Sequence, residues 1–231
     1  MDQTNRIALD GAAIQEMREA NETRAAFCRF LASLYLYELT DEQIEAFAHI
    51  EIAGDGTAID EGLRTIKEYL RHRHGGTRQE LAVDYARVFL GAGSYDRILA
   101  PPYESVFTSE ERILMQDARD EVLAIYRSAG LDKKNSWKEG EDHVALELEF
   151  EQVLANRTAE ALRKSDEEEA AALLTTQRNF LEDHLLSWVP MMTTDMKRFA
   201  KTDLYQGLAY LTDGFLNTDK AFLDDVLTED E

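Results

Sequence analysis

Three short segments of this 231-residue chain carry residue types that can recognise a peptide or hold a charge. In ELAVDYARVFLG, residues 80–91, Asp84 and Arg87 stand three apart beside an apolar stripe of Leu81, Tyr85, Val88 and Phe89, a spacing at which they can pair on one helical face as a surface ion pair. In APPYESVF, residues 100–107, Pro101 and Pro102 fix φ and remove two backbone donors. Tyr103 and Glu104 follow, so an aromatic ring and a carboxylate are held in place. Such a loop suits a basic, partly apolar peptide, and packing between helices accounts for it as well. In EDHVALELEF, residues 141–150, Asp142 and His143 fall at a helix start with Leu146 and Phe150 below them on one face, and an aspartate there can cap free backbone donors. Trp137, in the polar stretch just before, either packs on a neighbouring helix or offers a flat apolar surface to a ligand.

Catalytic constellations find less support. Gly91-Ala92-Gly93 lacks a third glycine and a preceding strand. The residues three before the five histidines are Ala46, Tyr69, Arg71, Gly140 and Leu181, so no Glu-x-x-His metal motif exists. His72 and His74 diverge on a helix. His143 and Glu147, four apart, make half a metal site, and a first-turn histidine beside a helical carboxylate is the simpler account. No Gly-x-Ser-x-Gly elbow occurs. Cys28 is the one cysteine, which excludes an internal disulfide and a Cys-based zinc site. The expectation is a protein that is not an enzyme, with no cofactor and no metal of its own.

The elements that must position these residues read as helix. Only three prolines interrupt the chain, and Phe27, Phe30, Leu31, Leu34 and Tyr35 repeat at helical spacing. Further helices are expected at about 40–51, 58–74, 78–90, 109–129, 142–163, 167–187, 190–200 and 203–217. Thr108 and Glu111 read as a capping box for the helix that stops before Gly130, and Gly91 stops the one before it. The polar run DKKNSWKEGE loses the period, which predicts a hinge at 132–141 between an N-terminal part, 1–131, and a C-terminal part, 142–231. No β-strand is expected, and the final DDVLTEDE reads as a frayed acidic end. The richest apolar run, AAFCRFLASLYLYEL, is broken by Arg29 and Glu38 and falls short of the roughly 20 apolar residues of a membrane span. With no signal-peptide pattern in the first 25 residues, a cytoplasmic protein without membrane insertion is expected. Forty-six acids against 25 basic residues give a net charge of −21, which repels nucleic acid and either steers a basic partner or maintains solubility.

These three segments, in this order and spacing, resemble the TorD/DmsD family of cytoplasmic chaperones for twin-arginine-exported molybdoenzymes. The resemblance covers roughly residues 24–218. Its strongest words are Asp84-Tyr85 with Phe89 and Gly91, then Ala-Pro-Pro-Tyr-Glu-Ser, then Asp142-His143 followed by Glu147-Leu148-Glu149-Phe150. FLEDHLLSWVP, 180–190, resembles the family's later helix with its His-Leu-x-x-Trp. The resemblance implies an all-α bundle of two connected parts with about nine to eleven helices, either a monomer or a domain-swapped dimer. It implies a role in anaerobic respiration: binding the twin-arginine leader or the apo form of a molybdopterin oxidoreductase until its cofactor is inserted and it is exported. It carries the peptide site onto Asp142 and His143 with the 101–105 loop as a wall, and Tyr85 and Trp137 nearby. Relatives often have a proline close before the Asp-His pair, where this chain has Gly140 and Glu141. Physically, two guanidinium groups followed by an apolar stretch call for carboxylates, here Asp142 and Glu104, beside a groove, here Tyr103, Leu146, Phe150 and Trp137. The competing readings are a nucleotide-binding switch or enzyme on the same scaffold, and a NarJ-like chaperone that contacts the body of the apoenzyme.

Overall fold

Scarce breakers and periodic apolar residues give ten α-helices among the residues that the computed structural model describes, 11–52, 54, 56–93, 98–134 and 137–228. They are α1 Gly11–Leu36, α2 Asp41–Ala48, α3 Ala58–Arg71, α4 Thr77–Phe89, α5 Glu104–Thr108, α6 Asp117–Ser128, α7 Val144–Arg163, α8 Glu167–Phe180, α9 Leu186–Phe199 and α10 Asp203–Thr228. The fold is all-α, as expected: among the described residues there is no strand, only an isolated antiparallel bridge between Tyr103 and His143. No described helix is long and apolar enough to cross a membrane. Side-chain caps start several helices. Thr40 and Gln43 form a reciprocal capping box at α2, Thr57 accepts from Asp60 N–H at α3, and Asp166 accepts from Glu169 N–H at α8. Gly91 and Gly130 take φ of 75° and 70° just past the ends of α4 and α6, the stops the sequence predicts.

Several boundaries differ from expectation, among them the ends of α2 and α3, which stop at Ala48 and Arg71 and not at 51 and 74. The helix expected at 109–129 is α5, an irregular stretch, then α6. The Thr108 and Ser109 hydroxyls donate to the Glu104 and Ser105 carbonyls, 3.1 and 2.6 Å, and satisfy the end of α5, so Thr108 closes a helix rather than opening one. The helices expected at 167–187 and 190–200 run on without a break, because a π-helical turn, Leu181–Leu185, widens the coil ahead of Pro190, which sits inside α9. α1 begins at Gly11, well before the apolar stripe. The acidic end does not fray through its first residues: α10 continues to Thr228, and Asp224 accepts from Arg178 and Lys220, each at 2.6 Å. Residues 229–231 lie outside the described residues.

α1 lies along α7, α3 along α10, and α8 against α7 and α10. Elements from both sides of the 132–141 stretch therefore share one core, in which Leu31, Leu70 and Val88 join Leu148, Trp188 and Leu211. Asn135 and Ser136 of that stretch lie outside the described residues. The α3 and α10 backbones touch. A Cβ on Gly62 would stand 2.5 Å from Leu211 N and 2.8 Å from Gly207 O, and one on Gly207 would stand 2.7 Å from Ile66 Cγ1. Asp84 joins α4 to α10 and is not the expected surface ion pair. It is 2% exposed, takes Arg87 at 2.7 Å, and accepts from Thr202 N–H and Oγ1, both 2.8 Å, capping the start of α10.

Candidate functional site

The segment around the double proline, residues 100–104, lies beside the entry to α7. Ala100 N–H donates to Val88 O (2.9 Å), Glu104 N–H to Asp142 O (3.0 Å) and Val144 N–H to Pro102 O (3.0 Å). Prolines have no N–H to spend, so pairing falls on the residues around them. The bridge brings Pro101, Pro102, Tyr103, Glu104, Asp142 and His143 into one place.

Asp142 does not cap its own helix. Its Oδ2 accepts from Ser105 N–H at 3.0 Å and Ser105 Oγ at 2.5 Å, capping α5 instead, while Oδ1 is buried with no partner. His143 takes the cap of α7, its Nδ1 accepting from Ala145 N–H at 3.0 Å. Burial pushes its pKa down to about 3, so the imidazole is neutral. Tyr103 meets the His143 ring edge-on, centroids 4.9 Å apart, and its hydroxyl donates to the Glu139 carboxylate. Trp137 stands 6.5 Å from the same ring, half-buried, with its Nε1–H buried and unpartnered. Glu141 is held by Arg119 (2.6 Å) and Lys133 (2.9 Å); burial works against its charge, but these two cations bring its pKa down to about 2.

Below this layer is a buried polar network. Glu104 meets His184 Nδ1 at 3.1 Å, and Trp188 Nε1–H donates to Glu147 Oε2 at 3.1 Å. Burial first, then the Glu104 charge, raises the Glu147 pKa far above the ordinary carboxylate range. Glu147 therefore keeps its proton, and its second oxygen, Oε1, is buried without a hydrogen-bond partner. His184 lies in the π turn, which aims the ring at α5.

Tyr85 is a core residue whose hydroxyl donates to Tyr35 O at 3.0 Å, within an aromatic cluster with Phe89 and Tyr205. Leu146 and Phe150 are also interior, Phe150 lying 4.8 Å from Tyr126 and 4.7 Å from Phe180 between ring centroids. The apolar groups at the surface of the site are Tyr103 and Trp137, both half-buried. His143 and Glu147 do not converge, since one caps its helix and the other turns to Trp188. No group of three or more His, Cys, Asp or Glu among the described residues is arranged to hold a metal. Ser105, Glu139, His184 and Trp188 complete the site and were not singled out for it from the sequence. The His-Leu-x-x-Trp pattern at 184–188, noted only as part of the resemblance, is the signal that could have found two of them.

A family model described as the nitrate reductase delta subunit matches residues 53–194, more than half of the chain and all of the site. The chain belongs to this family. Curated relatives within the TorD/DmsD group align over nearly their full lengths. The chain is 26% identical over 218 residues to the chaperone protein TorD of Vibrio parahaemolyticus, covering 91% of this chain and 99% of that one. It is 27% identical over 224 residues to TorD of Vibrio cholerae, covering 94% and 99%, and 28% identical over 228 residues to TorD of a Psychrobacter species, covering 92% and 96%. These delta-family relatives are named chaperones and not enzymes, and the chain is likewise a non-enzymatic member of the group.

Proposed function

We propose that this protein is a cytoplasmic maturation chaperone that binds the twin-arginine leader of a molybdopterin oxidoreductase in its apo form and holds it until cofactor insertion and export. The observation that carries this is Asp142. One of its carboxylate oxygens is fixed by Ser105, and the other is buried without a partner beneath Gly140, where a Cβ would come within 2.7 Å of it. An unpaired buried carboxylate oxygen is costly, and an arginine guanidinium is the donor that best relieves it. Tyr103 and Trp137 supply aromatic faces beside it, whereas Glu104, expected from the sequence as a second carboxylate, is buried against His184. A net charge of −21 raises the encounter rate with a basic leader and makes it salt-sensitive. Since Asp142 is 1% exposed and Gly140 lies over its free oxygen, the leader reaches it when Gly140 moves aside.

The test is titration of a twin-arginine leader peptide, at matched salt, into wild type, Asp142→Asn and His143→Ala, with a control peptide in which both arginines are glutamine. Asparagine keeps the Ser105 cap, so the melting temperature is expected to hold while affinity falls roughly tenfold to a hundredfold, the worth of one charge-assisted hydrogen bond. His143→Ala is expected to act in the same direction but less. Wild-type affinity in a folded Asp142→Asn protein refutes the site, and equal binding of the glutamine peptide refutes the leader as ligand.

A further inference from the structure

Residues 110–116, between α5 and α6, are not absorbed by the site described above. Ile113, Leu114 and Met115 are 49%, 45% and 65% exposed, and they are the one run of consecutive exposed large apolar side chains among the described residues. The backbone that presents them is unusual. Arg112 and Met115, neither of them glycine, take φ of 54° and 61°, in the left-handed region that L side chains rarely adopt. The loop is tied at both ends to the Asp142 segment. On one side Ser109 Oγ donates to Ser105 O at 2.6 Å, and Ser105 is capped by Asp142; on the other, Arg119 Nε donates to Glu141 Oε2 at 2.6 Å. Leu114 lies five residues on from Ser109, so it stands within about 18 Å of that anchor. Acids flank it in sequence: Glu110 and Glu111 precede the tip, and Asp117, Asp120 and Glu121 follow, all exposed, against one exposed arginine, Arg112. Of the two arginines in this stretch, Arg119 is already engaged by Glu141 and Asp120.

We infer that Ile113, Leu114 and Met115 form the docking surface for the apolar stretch that follows the arginine pair of the leader. The inference rests on the leader reading above. An apolar tip with net-acidic flanks fits an apolar segment with basic residues beside it, and repels an acidic one. The left-handed residues hold the apolar side chains outward in the free protein, so the peptide does not bear the cost of ordering them.

The test pairs two proteins with three peptides. The variant combines Ile113→Ser, Leu114→Ser and Met115→Asn, the asparagine being chosen because it tolerates a left-handed φ. The peptides are the intact leader, one with its apolar stretch replaced by serine, and one with both arginines replaced by glutamine. The variant is expected to keep the wild-type melting temperature and to bind the intact leader roughly tenfold to a hundredfold more weakly. It is expected to bind the serine peptide as wild type does, and to lose affinity for the glutamine peptide as it does for the intact one. Equal binding of the intact leader by variant and wild type, while the arginine pair still matters, overturns the docking surface and leaves the leader reading standing. No binding of any leader by wild type removes the reading and the inference together. A change from dimer to monomer in the variant by sedimentation velocity, with leader affinity unchanged, assigns the tip to a second copy of the chain and also overturns the inference.

Discussion

Glu151 tests whether the folded interior holds a protonated carboxyl between α1 and α7. It is 1% exposed, and neither carboxyl oxygen has a hydrogen-bond partner. The nearby Arg24 guanidinium turns four of its five N–H groups elsewhere: to Asp219 at 2.5 and 2.9 Å, to Asn21 Oδ1 at 2.8 Å and to Gln177 Oε1 at 2.9 Å. Burial pushes the Glu151 pKa well above its ordinary 4.5, the Asp219 charge adds to the rise, and the Arg24 charge offsets it only in part. Above pH 4.5 the unfolded chain has released this proton and the folded chain has not. A raised pKa therefore gives stability that is fully present below 4.5 and is lost as pH climbs toward the folded pKa. The slope is about 1.4 kcal/mol per pH unit. Each pH unit over which the unfolded carboxyl is ionised and the folded one is not costs about 1.4 kcal/mol, or roughly 3 to 6 °C for a chain of this size. Glu151→Gln keeps the shape and removes the titration. Urea melts of both proteins at half-unit steps from pH 5.5 to 7.0 are expected to show the variant gaining on wild type by that slope. The buried amide brings unpaired groups of its own, so the slope and not the offset is the readout. Parallel pH profiles would refute the reasoning, because they mean that Glu151 is ionised in the folded chain.

Three further outcomes follow from the same geometry. Asp84→Ala removes the cap of α10 and leaves Arg87 without its acidic partner, and chemical denaturation is expected to register a loss of about 3 to 5 kcal/mol. Gly207→Ala places a methyl against Ile66 and the Gly62 carbonyl; it is expected to lower the melting temperature by separating α3 from α10, whereas the same change at the open Gly11, read by the same thermal scan, has no such effect. His143→Asn retains a capping side chain but removes a group whose pKa falls from 6.5 to about 3 on folding. Its stability is present above 6.5 and lost on acidification, so wild type is expected to lose about 2 kcal/mol more than the variant between pH 7 and 5 by denaturant titration.

What the sequence revealed was local. The stripe from Phe27 to Tyr35, the glycine stops at Gly91 and Gly130 and the near absence of proline are short-range signals, and each predicts helix where helix is found. The site segments were legible as words, because a double proline and an Asp-His pair at a helix start are rare local chemistry. Their partners were not. Asp84 caps a helix that begins more than a hundred residues later, and Asp142 caps α5 across 37 residues. Both look like local pairing or self-capping until the fold brings the other helix end to them. Thr108 misled for the opposite reason: Thr-x-x-Glu is a valid capping pattern, but its hydroxyl went to the preceding carbonyl. Leu146 and Phe150 occupy the helical face expected of them, yet that face turns to Tyr126 and Phe180 rather than outward, which a single helix cannot disclose.

An aspartate at a helix start faces competing demands, since a cap and an arginine both claim its oxygens. In this protein the geometry separates them. Oδ2 carries both hydrogen bonds from Ser105, so the cap of α5 is complete without Oδ1. His143 has taken over the cap of α7, so that helix makes no claim on Asp142 either. One oxygen is left over, and it is held in place by a bond that binding need not break. On the leader reading, an arginine reaching Oδ1 adds a charge-assisted bond without uncapping α5, and α5 leads directly into the apolar tip at residues 113–115. Moving Gly140 aside is then the main cost of entry.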